Sequence, residues 1–232
     1  ASGIFFVIAF IAAACNSPLN NAIINQPSSI QEVIEFDRTI NISGFVEQSI
    51  LVTLFDKNGA YVQIQNGGVS VSGVNLLLQT NGLGNPYYTA PTDTAPRLWP
   101  DSSYKVTITL GDGTTYVTTV RTPHDLTQFT APAQVSRSAD IPISWQTNDA
   151  HCTMTVYISD GSVIDPTNGY QVSIANPSSG SYTIPNSFTT GHTAPGGMRL
   201  SLRAQLRGTP NSQLISTSLV YTNFYIEKDV SY

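Results

Sequence analysis

The sequence predicts an all-β protein: two tandem antiparallel β-sandwich domains entered through an apolar, signal-like N-terminal segment. Three observations carry the prediction. Period-two alternation of apolar and polar residues recurs throughout the 232-residue chain. No stretch after the N-terminus sustains an apolar stripe at helical spacing, and only 11% of the chain is charged while Ser, Thr, Asn, Gly and Pro are plentiful. A chain of this length can hold two domains, each with its own core.

Ile4–Ala14 is an uninterrupted apolar run. It falls short of the ~20 residues with which a helix crosses a bilayer core, and it has the length of a signal peptide's hydrophobic region. The basic region of a signal is missing, so the start of the precursor is expected upstream of Ala1. Ala12-Ala13-Ala14-Cys15 resembles the bacterial lipobox, in which small residues precede a cysteine that is acylated and becomes the mature N-terminus. The motif departs from the usual one at Ala12, where Leu is common. The resemblance implies a signal peptide over residues 1–14, lipidation of Cys15, and a membrane as one partner, each buried methylene of the acyl chains contributing about 0.8 kcal/mol. Asn16 is not the Asp that retains enterobacterial lipoproteins at the inner membrane, which points to the outer membrane and leaves the face open. The alternative is a retained apolar segment that assembles a pilin-like filament.

The first charged residue is Glu32, so residues 15–29 form an uncharged spacer that lacks the apolar content to fold alone. The first domain is expected over residues 30–123. In it Tyr104, Val106, Ile108 and Leu110 alternate with polar residues up to Gly111-Asp112-Gly113, and Thr114–Thr122 follows. Asp-Gly supplies the positive φ of a tight hairpin turn. Val69–Leu78 adds strands or an insertion beyond a minimal sandwich. The second domain is expected over residues 124–232, with strands at Ile141–Trp145, Met154–Ile158, Tyr170–Ile174 and Met198–Leu206. In the last of these, Met198, Leu200, Leu202, Ala204 and Leu206 face one way and the arginines face the other.

Leu98-Trp99-Pro100-Asp101-Ser102-Ser103-Tyr104-Lys105-Val106 resembles the Leu-x-Pro-x-x-x-Tyr-x-Val segment of fibronectin type III domains, whose Tyr forms the corner entering the penultimate strand. Ile141-Pro142-Ile143-Ser144-Trp145 is similar to that family's second strand with its core Trp. Met198–Ala204 is similar to its sixth strand, with Met198 where Tyr is usual. The resemblance implies fibronectin type III or immunoglobulin-like sandwiches, a fold that hosts adhesion, scaffolding and substrate binding alike.

A net charge of −5 argues against nucleic acid as a partner. His124, His151 and His192 have no metal-ligand spacing, and with no Cys pairs no metal site is expected. His151 and Cys152 point to opposite faces of a strand and cannot share a proton, so Cys152 reads as a buried, inert thiol. Asp160–Asp165 lacks the alternate acids and the distal Glu of a calcium loop and reads as a turn. The sequence has no nucleophile elbow, phosphate loop or dinucleotide fingerprint, and no catalytic residue or cofactor is assigned.

Two surface features suggest binding. Tyr87, Tyr88 and Trp99 flank a Pro-rich loop where rigid aromatics can stack on sugars or anchor a protein, unless they pack over the sandwich edge. Arg199, Arg203 and Arg207 recur about 13 Å apart on one strand face, either meeting an acidic glycan or protein or simply solvating that face. The resulting expectation is a lipid-anchored envelope binding, adhesion or structural module. The alternatives are a filament subunit and an envelope enzyme or its accessory carbohydrate-binding module.

Overall fold

The computed structural model describes residues 27–136, 138–146, 149, 151–159, 170–174, 180–189 and 197–232. Cys15, the Ile4–Ala14 run, His192 and the Asp160–Asp165 turn lie outside them.

The first half contributes β1 (Ile30–Ile40), β2 (Val46–Asp56), β3 (Gly68–Val71), β4 (Val74–Asn75), β5 (Leu77–Thr80), β6 (Pro86–Thr89), β7 (Ser103–Thr109) and β8 (Thr115–Arg121). The second half contributes β9 (Thr127–Thr130), β10 (Ile141–Gln146), β11 (Thr153–Ser159), β12 (Tyr170–Ile174), β13 (Ser181–Ile184), β14 (Met198–Arg207) and β15 (Leu219–Val230). Helical structure among the described residues is confined to a 3-10 turn at Pro27–Ser29 and one α-turn at Asn186–Thr189.

These strands form three sheets. A four-stranded sheet (β4-β3-β7-β8) and a three-stranded sheet (β13-β10-β9) stack on one eight-stranded sheet, ordered β12-β11-β14-β15-β1-β2-β6-β5. Within each half, the first and second strands share a sheet, the third joins the last two in the other, and the two sheets pack face to face. That arrangement is the fibronectin type III and immunoglobulin-like sandwich. The expectation of purely antiparallel pairing needs one correction. β15 and β1 pair in parallel, from Val33 beside Leu219 to Ile40 beside Ile226, and so merge a sheet of each half into one. Each strand would otherwise end its sheet as a long row of unpaired peptide groups, and pairing satisfies both rows.

Two apolar cores follow the alternation. The first gathers Ile34, Phe36, Val52, Leu54, Val71, Val106, Ile108 and Val120, and it also takes Leu214 and Val220 from beyond Pro123. The second gathers Ile141, Trp145, Met154, Leu200, Leu202 and Phe224. Each fully buried side chain of this size contributes roughly 1.5–3 kcal/mol. Where the cores meet, Arg38 of β1 points inward, pairs with Asp125 and lies 5.2 Å from the Phe224 ring centroid. Glu32, fully buried in the first core, accepts hydrogen bonds from Thr118 Oγ1 (2.6 Å) and the Asn211 N–H (3.2 Å). Burial raises its pKa and favours the neutral acid.

The corner expected at Tyr104 is present. Its hydroxyl donates to the Arg97 carbonyl (2.8 Å) and accepts from the Trp99 N–H (2.6 Å), holding the chain as it enters β7. The β7–β8 hairpin closes as expected, with the Leu110 N–H on the Thr114 carbonyl (2.8 Å) and Gly113 at φ 85°. Three further turns use a related device: Asn41, Asp56 and Asn81 accept, on a side-chain oxygen, the N–H groups two and four residues on, at 2.8–3.1 Å. The glycine third after each, such as Gly59 at φ 80°, adopts the left-handed conformation.

Candidate functional site

Side chains of paired strands that sit opposite one another share a face. With Ile34, Val52, Tyr88, Val220, Phe224 and Ala204 turned to the cores, the alternate residues of β11, β14, β15, β1, β2 and β6 fall on the opposite, open face of the large sheet. Its centre, over the β15–β1 join, is polar yet poorly exposed. Asn223 is only 2% exposed, and Tyr225, Thr155 and Ser201 are buried as well.

A hydrogen-bonded row crosses the join. Gln205 Nε2 donates to Asn223 Oδ1 (2.8 Å), and Asn223 Nδ2 donates to Asp37 Oδ1 (2.8 Å) and more distantly to Glu35 Oε1 (3.4 Å). Beyond Asp37 the Ser49 hydroxyl donates to Oδ2 at 3.5 Å. Beside this row the Arg203 guanidinium lies 5.1 Å from the Tyr157 ring centroid and donates to Thr155 Oγ1 (3.3 Å). Glu35 and Asp37 stand two residues apart on one strand. Burial, and then the neighbouring Asp37 charge, push the Glu35 carboxyl up to about 7, and Arg203 offsets part of this. Burial likewise raises Asp37 against the hydrogen bonds from Asn223 and Ser49. Burial also raises the Tyr157 and Tyr225 hydroxyls, which remain neutral donors. The join thus offers two carboxyls that burial biases toward the neutral acid, a cation on an aromatic ring, amides and phenols. Its half-buried members, Glu35, Asp37, Tyr157 and Arg203, can meet a polar partner laid across the strands, while the buried Asn223 and Tyr225 lie beneath them. Among the described residues no group of three or more His, Cys, Asp or Glu is placed to hold a metal ion.

Four of the residues singled out from sequence lie on this face. Arg203 is at its centre, Arg199 pairs with Asp229 (3.0 Å) toward one end, and Arg207 is exposed at the other. Tyr87 lies on the same face of β6, four strands from β14 and, by the registers through Val52, Ile34 and Val220, beyond its Arg207 end. Tyr88 does not join them. It is 3% exposed, opposite Val52 in the first core, and its hydroxyl accepts the Ile64 N–H (2.8 Å), because alternation turns one of two adjacent tyrosines inward. Trp99 sits apart at the Tyr104 corner, 53% exposed, with the Arg97 guanidinium 4.0 Å from its ring centroid. The three aromatics therefore form no single surface. Cys152 is buried, and desolvation pushes its thiol up to about 12, where it is unreactive. Glu35, Asp37, Asn223, Tyr225 and Tyr157 were missed from sequence. Glu35-x-Asp37 shows the alternation that would place two acids on one face, but the strands that meet them lie far along the chain.

No protein-family model matches the chain, and no curated protein does. Among solved structures it is similar to the FN1–FN3 domains of chicken CNTN1, at 11% identity over 87% of this chain and 69% of that one, with a TM-score of 0.29. A cytokine receptor complex gives 11% identity, 83% and 97% coverage and a TM-score of 0.30. The Yersinia pseudotuberculosis adhesin InvE gives 15% identity, 86% and 60% coverage and a TM-score of 0.26. TM-scores of this size establish no common fold, and the sandwich assignment stands on the strand order and the two cores.

Proposed function

We propose that the chain is an exported binding module rather than a catalyst, held at the outer membrane through lipid on Cys15. In this reading its sandwich units, residues 30–123 and 124–232, act as one platform. The open face of the shared sheet meets a protein or glycan partner. The observation that supports this most is the polar group over the β15–β1 join, where Glu35, Asp37, Asn223, Arg203 and Tyr157 converge from four strands. The Ala12–Cys15 motif supports the anchor, and residues 15–29 give it reach.

Two measurements test the reading. Intact mass of the protein purified from its native membrane should give an acylated chain beginning at Cys15, whereas a retained Ile4–Ala14 favours the filament subunit. The purified protein should also bind on glycan arrays or immobilised envelope proteins. The double variant Arg203→Ala/Tyr157→Ala should lose that binding while keeping its circular dichroism, and equal binding by the variant rules the open face out.

A further inference from the structure

The large sheet ends at β5, beyond which no strand lies among the described residues. Edges are ordinarily protected by charges, proline or bulges that discourage a second strand. This edge has none of these. Leu77 and Leu78 point to opposite faces of the sheet, yet they are 49% and 43% exposed, and Leu83 in the following turn is 86% exposed. Between Lys57 and Asp93 the sequence carries no charged residue at all. β5 pairs with β6 on one side only, through Leu77–Thr89 to Thr80–Pro86.

We infer that β5 is a self-association edge, pairing antiparallel with β5 of a second copy about a two-fold axis. Charge selects the occupant. The chain carries a net charge of −5, so two copies repel across most approaches. The charge-free stretch is where they meet without that repulsion, and a partner recognised by charge would find nothing there to read. Antiparallel pairing about that axis sets Leu78 opposite Leu78 of the other copy and Leu77 opposite Gln79, bringing the exposed leucines of both copies together and satisfying the edge peptide groups. The contact is isologous: it uses the same strand on both copies and closes at the dimer. Four residues make a small contact, so the association is weak and reversible.

Sedimentation equilibrium of the full chain in density-matched neutral detergent, from ~5 to ~500 μM, tests this. The expected result is a monomer–dimer equilibrium whose association constant falls at least tenfold in Leu78→Lys. The same change at an exposed position elsewhere, Val117→Lys on β8, should leave it unaltered. A single monomeric species throughout, association equally strong in Leu78→Lys, or open-ended oligomers would each overturn the inference. Gln79→Cys with a short bismaleimide supplies a second reading. A crosslinked dimer is expected, and its absence under conditions where the label reacts counts against β5 pairing.

Discussion

The two sandwiches solve one problem unequally. The second draws its buried residues from between Leu126 and Val230, with only the partly buried Ile40 of β1 packed against them from the first half. The first borrows Leu214 and Val220, and its buried Glu32 relies on the Asn211 N–H and on Ser218, whose hydroxyl accepts the Glu32 N–H at 3.0 Å. The lesson is that a merged sheet need not join equals: residues 208–220 form a flap that one sandwich supplies and the other depends on. Cutting the chain after Pro123 should expose the asymmetry in the largest effect expected here. The N-terminal piece loses the flap and the partner of β1, leaves Glu32 without two of its contacts, and should be unfolded by circular dichroism at 25 °C. The C-terminal piece keeps its core and should melt cooperatively. Two pieces of equal stability would dissolve the comparison.

The halves also differ where the penultimate strand begins. In the first, the Tyr104 hydroxyl holds both Arg97 and Trp99. In the second, Met198 stands at the matching place, buried and paired with Val230, and the Arg199–Asp229 pair follows it. A hydroxyl that satisfies two backbone groups is costly to remove, whereas one apolar side chain can replace another of similar volume. Tyr104→Phe is therefore expected to lower stability by about 1–3 kcal/mol in urea melts. Met198→Leu should cost less than about 1.5 kcal/mol. The reverse order would mean that the second sandwich, not the first, depends on its corner.

Much of this fold was legible. The alternation at Met198–Leu206, the Leu98–Tyr104 corner and the Asp112-Gly113 turn each encode a local geometry, and the structure has all three. The Asx-x-x-Gly turns at Asn41, Asp56 and Asn81 were equally readable as local chemistry. The β15–β1 join was not, because alternation says which face a strand buries and is silent about which edge it shares. The candidate site suffered for the same reason. Arg203 was visible as part of a stripe, but Asn223 reaches Asp37 across 186 positions of sequence. Tyr87 and Tyr88 looked alike until the register with Val52 sent one inward.

The join and the first sandwich's corner should also respond oppositely to pH. The Glu35 pKa rises on folding from an ordinary 4.5 to about 7. Its contribution is therefore fully present below pH ~4.5 and lost as pH rises through about 7, so acidification from pH 8 to 5 favours the folded state by about 1–2 kcal/mol after allowance for solvent screening. Asp101, held low chiefly by its hydrogen bond from Arg121, works the other way, and its smaller contribution is lost as pH falls through the acid range. Glu35→Gln should reduce the rise in melting temperature between pH 8 and 5, the part due to Asp37 and Glu32 remaining, and leave the acid limb intact. An unchanged slope would remove Glu35 from the join's proton balance.

The smallest effect expected separates a residue that builds the corner from one that the corner displays. Leu98 is buried in the first core, and its N–H donates to Gln48 Oε1 at 2.8 Å. Trp99, the next residue, gives the corner only its backbone groups: its N–H to Tyr104, and its carbonyl to the Thr122 hydroxyl at 2.6 Å. Its ring lies outside under Arg97. Trp99→Ala keeps every backbone bond and removes only an exposed stack, so its change in stability should stay within about 0.5 kcal/mol. Leu98→Ala opens a cavity and should cost about 2–5 kcal/mol in the same melts. If Trp99→Ala proves as damaging as Leu98→Ala, the indole is part of the corner's structure. If it is silent in stability, any partner affinity it removes belongs to direct contact with the ring.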